Sequence, residues 1–133
     1  MSDAESAAAI ERLKSICMAL PEATEDYAGV GNPAFKVREK IFAMQHPAQR
    51  LGHENRPSLW IKAPRGFQEM IVANDPEHFF VPPYVGQHGW VGIFLDVEPD
   101  WTLVTDLIED SYRMTAPKRL QAQIQPRGGN RSE

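Results

Sequence analysis

The sequence predicts an α+β domain of two layers, in which helices cover one face of a mostly antiparallel five-stranded sheet. Short segments alternate apolar and polar residues as strands do, and helical apolar stripes stand near both ends of the chain. The links at 39–40 and 82–89 are too short for the crossovers that parallel strands need. The predicted order is helix, three strands, short helix, two strands, helix.

The first helix is predicted over residues 5–20. Its apolar side chains recur at helical spacing, and Pro21 ends it. The stripe includes Cys17, which we expect to be a small buried side chain with a raised pKa. Residues 21–33 contain many turn formers and two glycines, so they are assigned to a loop.

The first two strands form a predicted hairpin. Residues 34–38 alternate, with Phe35 and Val37 on one face and Lys36 and Arg38 on the other. The next two residues, Glu-Lys, are assigned to the turn, although neither favours the positive φ of two-residue hairpins. The second strand follows directly and ends at Met44.

The middle of the chain is a polar connection followed by short elements. Residues 45–57 contain two prolines and form no predicted element. The predicted elements that follow are a strand at 58–63, a short helix starting at Phe67, and strands at 78–81 and 90–95.

The last helix begins after Asp100, which can cap its N-terminus, and its apolar stripe runs from Val104 to Tyr112. After this helix the composition becomes rich in Pro, Gly and basic residues. We therefore predict a single domain over 1–116 and a basic, flexible tail over 117–133.

Composition limits the function classes. The chain has 133 residues, 42% hydrophobic and 24% charged, which fits one globular domain. It has no apolar run of the roughly 18 residues that a membrane span needs, and acids occupy the positions where a secretory signal carries basic residues. A single cysteine cannot form an internal disulfide. These features predict a cytoplasmic protein with no membrane partner.

Charge is distributed in blocks. The net charge is −4, but residues 36–65 carry +5 and residues 66–116 carry −8. The overall sign argues against a protein that binds by general attraction to phosphates. Any nucleic-acid contact must come from the basic block, whereas the acidic block suits a basic protein partner.

Two surfaces are candidate binding sites. The first is a basic sheet face with an aromatic residue, which suits stacking and phosphate contact with single strands, unless the tryptophan is core. Its residues are Lys36, Arg38, Lys40, Trp60, Lys62 and Arg65. The second is the loop over residues 81–92, stiffened by two prolines; it either binds a ligand or closes over the sheet. Its candidate residues are Tyr84, His88 and Trp90.

No catalytic, metal or cofactor motif stands out. The histidines lie at 46, 53, 78 and 88, and none has another at the i, i+4 spacing of a helical zinc pair. The Gly29-Val30-Gly31 run lacks the third glycine and the context of a dinucleotide loop. No cofactor is therefore predicted, and an enzyme is the least favoured function class.

Two segments resemble the MmcQ/YjbR-like proteins. The first is LPEATEDYAGVGNPAFKVREKIFAM and the second runs from GWV through LD to DLIEDSYRM. We place the resemblance over about residues 13–115. The resemblance implies a secretion-chaperone-like α+β fold and carries a general DNA-binding label. The chain departs from the commoner pattern at VPPYVGQHGWVG, where a lysine is missing.

The favoured function is a small non-catalytic binding module of this type, with weak binding of DNA or single-stranded nucleic acid through the basic face. The alternative is a protein-interaction or chaperone-like module, and the third hypothesis is an enzyme that uses the Tyr84–Trp90 loop.

Overall fold

The computed structural model describes residues 3–28, 32–46 and 56–124. The elements are α1 (Asp3–Met18), β1 (Thr24–Ala28), β2 (Asn32–Val37), β3 (Lys40–His46), β4 (Ser58–Ile61), α2 (Phe67–Asn74), β5 (Phe79–Phe80), a 3₁₀ turn (Val85–His88), β6 (Val91–Phe94), α3 (Trp101–Thr115) and α4 (Lys118–Gln121).

The strands form one antiparallel sheet in the order β1-β2-β3-β4-β6-β5. The α+β class and the antiparallel sheet are confirmed, but the predicted number of five strands is wrong. The additional strand is β1, whose residues were assigned to a loop. Among the described strands β1 pairs with β2 alone. As an edge strand with exposed Asp26 and Tyr27, it does not show the apolar alternation of a buried strand.

The β2–β3 hairpin turns one residue earlier than predicted. Val37 pairs with Lys40, and the two turn residues between them, Arg38 and Glu39, have φ values of 52° and 68°. Positive φ at both central positions is the requirement of the turn type that matches strand twist. The strand register therefore decides the position of this turn, even though Asn or Gly would fit it better.

Helices α1 and α3 cover one face of the sheet and form the main core with it. Cys17 lies in this core without solvent exposure, and burial raises the pKa of its thiol. Ser111 of α3 joins helix to sheet, because its hydroxyl donates to the carbonyl of Phe42 (2.5 Å) and accepts from the amide of Lys62 (2.9 Å). Two strands and one helix are thus held together at one buried hydroxyl.

The other face of the sheet carries a smaller aromatic cluster of Trp60, Phe80 and Phe94. Phe80 and Phe94 stack with ring centroids 4.5 Å apart. Phe80 also lies directly on Gly92, where an added Cβ would come within 2.6 Å of three ring carbons. The middle of this face is therefore packed and does not present an open surface.

Helix α4 packs onto the core after residue 116, where the predicted domain ended. Leu120 is completely buried in the main core, and Ile124 packs against the same core. Residues 117–124 therefore belong to the folded unit, and the rest of the predicted tail lies outside the described residues. Of the helices in the described ranges, none has both the length and the apolar character that a bilayer crossing requires.

Candidate functional site

Antiparallel register gathers basic residues at one end of the sheet. Lys40 begins β3, and Lys62 follows Ile61, the last residue of β4. Arg65 follows three residues later. We call Lys40, Lys62 and Arg65 the basic end. Burial lowers the pKa of Lys62, and the neighbouring charge of Lys40 lowers it further. No carboxylate among the described residues forms an ion pair with Lys40 or Lys62.

The two other predicted basic residues are already paired with acids. The Lys36 Nζ lies 3.1 Å from Asp26 Oδ2, and the Arg38 Nε lies 2.7 Å from Glu22 Oε1. Hydrogen bonds from these cations hold the pKa of Glu22 below its usual range and contribute to the lowered pKa of Asp26, after the Tyr27 amide. Part of the predicted basic face is thus neutralised by β1 and the turn before it.

Trp60 is core and not the exposed stacking residue that one hypothesis required. Only 4% of the residue is exposed, and its Nε1 donates to the hydroxyl of Ser58 at 2.9 Å. The imidazole of His46 stacks on the indole with centroids 3.6 Å apart. The physical reason is the aromatic cluster, which covers this half of the second sheet face.

Arg65 and His88, predicted on separate surfaces, meet in one groove. The groove has a volume of about 420 Å³ and lies between α2, the loop before β6 and the end of α3. We call it the Arg65 groove. The residues lining it are Ala63, Arg65, Gly66, Gln68, Glu69, Gln87, His88, Gly89 and Met114. Guanidinium, imidazole and carboxamide groups and the carboxylate of Glu69 thus share a surface with the exposed thioether of Met114.

Gln68 fixes the loop that forms one wall of the groove. Its side chain is buried, and its Nε2 donates to the carbonyls of Gly86 (2.8 Å) and Trp90 (2.6 Å). Gly86 lies so close to Val81 that an added Cβ would be 2.5 Å from its methyl carbon. Trp90 is half-buried and packs against the aromatic cluster. The loop is therefore fixed by the hydrogen bonds from Gln68 and by the packing of Gly86 and Trp90.

Tyr84 stands at the tip of this loop in an unusual backbone conformation. Its φ and ψ are 64° and −68°, and the amide of Val85 donates to the carbonyl of Pro83 at 2.7 Å. This is the rare γ-turn with positive φ, a conformation that costs on the order of 1–3 kcal/mol. The turn leaves the tyrosine 71% exposed. The loop thus presents an aromatic ring to solvent at an energetic cost.

The groove residues that sequence reasoning missed include Gln68, Glu69, Gln87 and Met114. Gln68 carried a signal, since it is a polar residue between the apolar positions of a short helix. The other three are ordinary surface residue types whose approach depends on the chain path. Among the described residues no three His, Cys, Asp or Glu side chains group closely enough to hold a metal; His53 lies outside the described residues.

Carboxylates collect at the opposite end of the sheet. Asp96, Glu98 and Asp100 follow β6 where it pairs with the start of β4. We call these three residues the acidic end. Asp96 binds the guanidinium of Arg56 through two hydrogen bonds of 2.8 Å. Lys40, Lys62 and Arg65 of the basic block thus lie at one end of the sheet and these three carboxylates at the other, where Arg56 of the basic block pairs with Asp96.

Comparison with known proteins identifies the family. Among solved structures, the chain is similar to protein DR2400 of Deinococcus radiodurans, described with the domain DUF419, with a TM-score of 0.67 and 21% identity over 79% of this chain and 76% of that chain. At this identity the likeness shows the fold alone. No curated protein sequence matches. The model of the YjbR family matches residues 18–114, which is more than half of the chain. The helix–sheet unit that carries the Arg65 groove is therefore a YjbR domain, and the chain belongs to the YjbR family.

Proposed function

We propose that this YjbR-family protein is a small binding module that holds single-stranded nucleic acid along its basic end and in the Arg65 groove. Family membership supports the coarser part of this proposal, a small non-catalytic module. The observation that carries the finer part is the convergence of Arg65 and His88 in one groove, beside two lysines that no described carboxylate neutralises.

The contact chemistry follows from these groups. Lys40, Lys62 and Arg65 contact backbone phosphates, and the fixed guanidinium of arginine can bind two phosphate oxygens at once. The exposed ring of Tyr84 stacks on an unpaired base, which is the role that Trp60 cannot fill because it is buried. Three cations limit the number of phosphate contacts, so binding is weak and depends moderately on salt.

Fluorescence anisotropy with a labelled oligothymidine and a labelled duplex at 50 and 200 mM salt tests the proposal. We expect the single strand to bind at least as well as the duplex. Three phosphate contacts predict a slope of about −2 in log K against log salt for the single strand. Absence of binding at 50 mM salt overturns the proposal.

Two double variants with the same change in net charge locate the site. Lys62→Gln/Arg65→Gln removes two unpaired cations, and we expect at least about tenfold weaker binding at 50 mM salt. The control Lys36→Gln/Arg38→Gln removes two cations that are already paired with acids, and we expect less than about twofold change. The opposite order of effects would place the site on the sheet face instead of the basic end.

A protein partner is the second candidate function. It is favoured by the exposed Tyr84 and Met114, residue types that are enriched in protein interfaces. Met114 lines the Arg65 groove, and Tyr84 stands on the loop that carries His88 into it. A photo-crosslinking residue at Met114 that yields one discrete adduct in cells, lost in the Tyr84→Ala variant, supports this function. A failure of both the oligonucleotide and the crosslinking experiments rejects both candidates.

A further inference from the structure

A second cavity lies at the other end of the molecule, between β5, β6 and α3. Its volume is about 290 Å³. Its walls include the buried side chains of Phe79, Ile93 and Val104 and the partly buried Leu103. The lining is mainly apolar, and the volume is near the lower limit for small-molecule sites, so it accommodates a compact apolar group.

Two carboxylates stand at the mouth of this cavity. Asp100 uses one oxygen, Oδ1, to accept from the amides of Thr102 and Leu103 at the start of α3. Within the described chain, its second oxygen and the carboxylate of Glu98 have no hydrogen-bond or ion-pair partner. Both residues are exposed and line the cavity. The mouth therefore carries the negative charge of two carboxylates that form no ion pair with a described residue, and the cation Arg12 lines a neighbouring cavity together with Glu98.

His78 completes the mouth and does not cancel this charge. Its Nδ1 lies 2.9 Å from the carboxylate of Asp75, and its Nε2 lies 3.2 Å from the carbonyl of Glu98. Any positive charge on the imidazole is thus matched by Asp75. The ring fixes the segment that carries Glu98 against the start of β5, so that the two carboxylates are held over the apolar cavity.

We infer that this cavity is a binding site for a small apolar amine, with the hydrocarbon body against Phe79, Ile93 and Leu103 and the ammonium group at Glu98 and Asp100. The small volume of the cavity and the negative charge at its mouth both indicate an apolar amine. An anionic ligand would approach two unpaired carboxylates, and a purely apolar one would leave them unused. The site is independent of the Arg65 groove and shares none of its residues.

Titration of the full-length protein with 2-phenylethylammonium, followed by amide chemical shifts, tests the inference. Neutral 2-phenylethanol and anionic 3-phenylpropionate have similar hydrocarbon bodies and serve as matched probes. We expect saturable shifts at Phe79, Ile93 and Leu103 with the ammonium, at least about fivefold weaker binding of the alcohol, and the weakest binding of the carboxylate.

Two variants separate the contributions of charge and space. Glu98→Gln/Asp100→Asn removes both charges but keeps the helix cap, because asparagine caps as well as aspartate. We expect it to weaken the ammonium about fivefold or more and to leave the alcohol unchanged. Leu103→Phe fills the cavity and should abolish binding of both. Equal affinity of the three probes, shifts confined to other residues, or insensitivity to both variants would overturn the inference.

Discussion

At the scale of single residues, the strain at Tyr84 can be measured directly. Its positive φ belongs to a region that an L side chain adopts reluctantly and glycine adopts freely. The ring is 71% exposed, so its removal costs little packing. We expect Tyr84→Gly to stabilise the fold by about 1 kcal/mol. This value already subtracts the cost of the additional conformational entropy that glycine gives the unfolded chain.

Tyr84→Ala is the matched control for this substitution. Alanine lacks the ring but keeps the Cβ, so we expect its free energy of unfolding to stay close to that of the native protein. Chemical denaturation of the three proteins measures both effects. Equal stability of the glycine and alanine variants would show that the γ-turn stores no strain.

His46 predicts a pH dependence of stability. Burial against Trp60 lowers the pKa of the imidazole to about 4, from an ordinary value of 6.5. The unfolded chain therefore binds a proton between these pH values and the folded chain does not. The contribution of His46 is complete above about pH 6.5 and is lost as the pH falls toward 4.

The variant His46→Phe keeps an aromatic ring on Trp60 but cannot titrate. We expect its free energy of unfolding to fall less than that of the native protein between pH 7 and pH 5. The carboxylates are common to both proteins, as is His78, whose raised pKa gives stability below pH 6.5 that is lost at higher pH. The effects of the carboxylates and of His78 cancel when the pH dependence of the variant is subtracted from that of the native protein. Parallel stability curves would contradict the prediction.

At the scale of elements, α4 is short but holds a completely buried leucine. We expect Leu120→Ala to cost about 3–5 kcal/mol, because it removes buried methyl groups and leaves a cavity in the main core. The exposed Gln123→Ala, in the same segment, should change stability by less than about 0.5 kcal/mol. A loss below about 1 kcal/mol for Leu120→Ala in thermal or chemical denaturation would mean that α4 packs loosely.

Elements with a strong apolar period could be predicted from the sequence, and those defined by pairing or docking could not. The α3 helix has a clear stripe and an aspartate that caps its first turn in the structure as expected. The β1 strand forms because β2 supplies its hydrogen-bond partners. The α4 helix is held in place because Leu120 is buried in the main core. Neither cause is a local sequence pattern of the kind that α3 carries.

Some residues of the candidate site could likewise be predicted from the sequence, and others could not. Arg65, His88 and Tyr84 could be selected from the sequence because charged and aromatic residues lie near prolines and glycines in loops. Trp60 could not be placed, since alternation shows which residues share a face but not whether that face is covered. The groove itself depends on contacts between segments about 20 residues apart, such as those of Gln68 with Gly86 and Trp90.

At the scale of the whole molecule, the separation of charge affects the rate of association. The basic end attracts a polyanion, and the acidic end, at the other end of the sheet, repels it. At about 0.01 M salt the screening length is roughly 30 Å, so both ends act on the ligand, whereas at about 0.15 M it is roughly 8 Å. We expect Glu98→Gln/Asp100→Asn to accelerate oligonucleotide association at low salt and to leave it unchanged at 0.15 M, as measured by stopped flow. An equal effect at both salt concentrations would contradict this explanation.

The edge strand β1 has a consequence for solubility. Its outer backbone groups are a template on which another extended chain can add, and exposed edges of this kind lead to aggregation. Two acids stand on this strand, Glu25 beside Lys14 of α1 and Asp26 beside Lys36 of β2. If the β1 strand of a second copy paired with this edge, its acids would lie close to Glu25 and Asp26. They would also compete for Lys14 and Lys36. The polar residues that make β1 hard to recognise from the sequence pattern therefore also oppose the addition of a second copy at this edge.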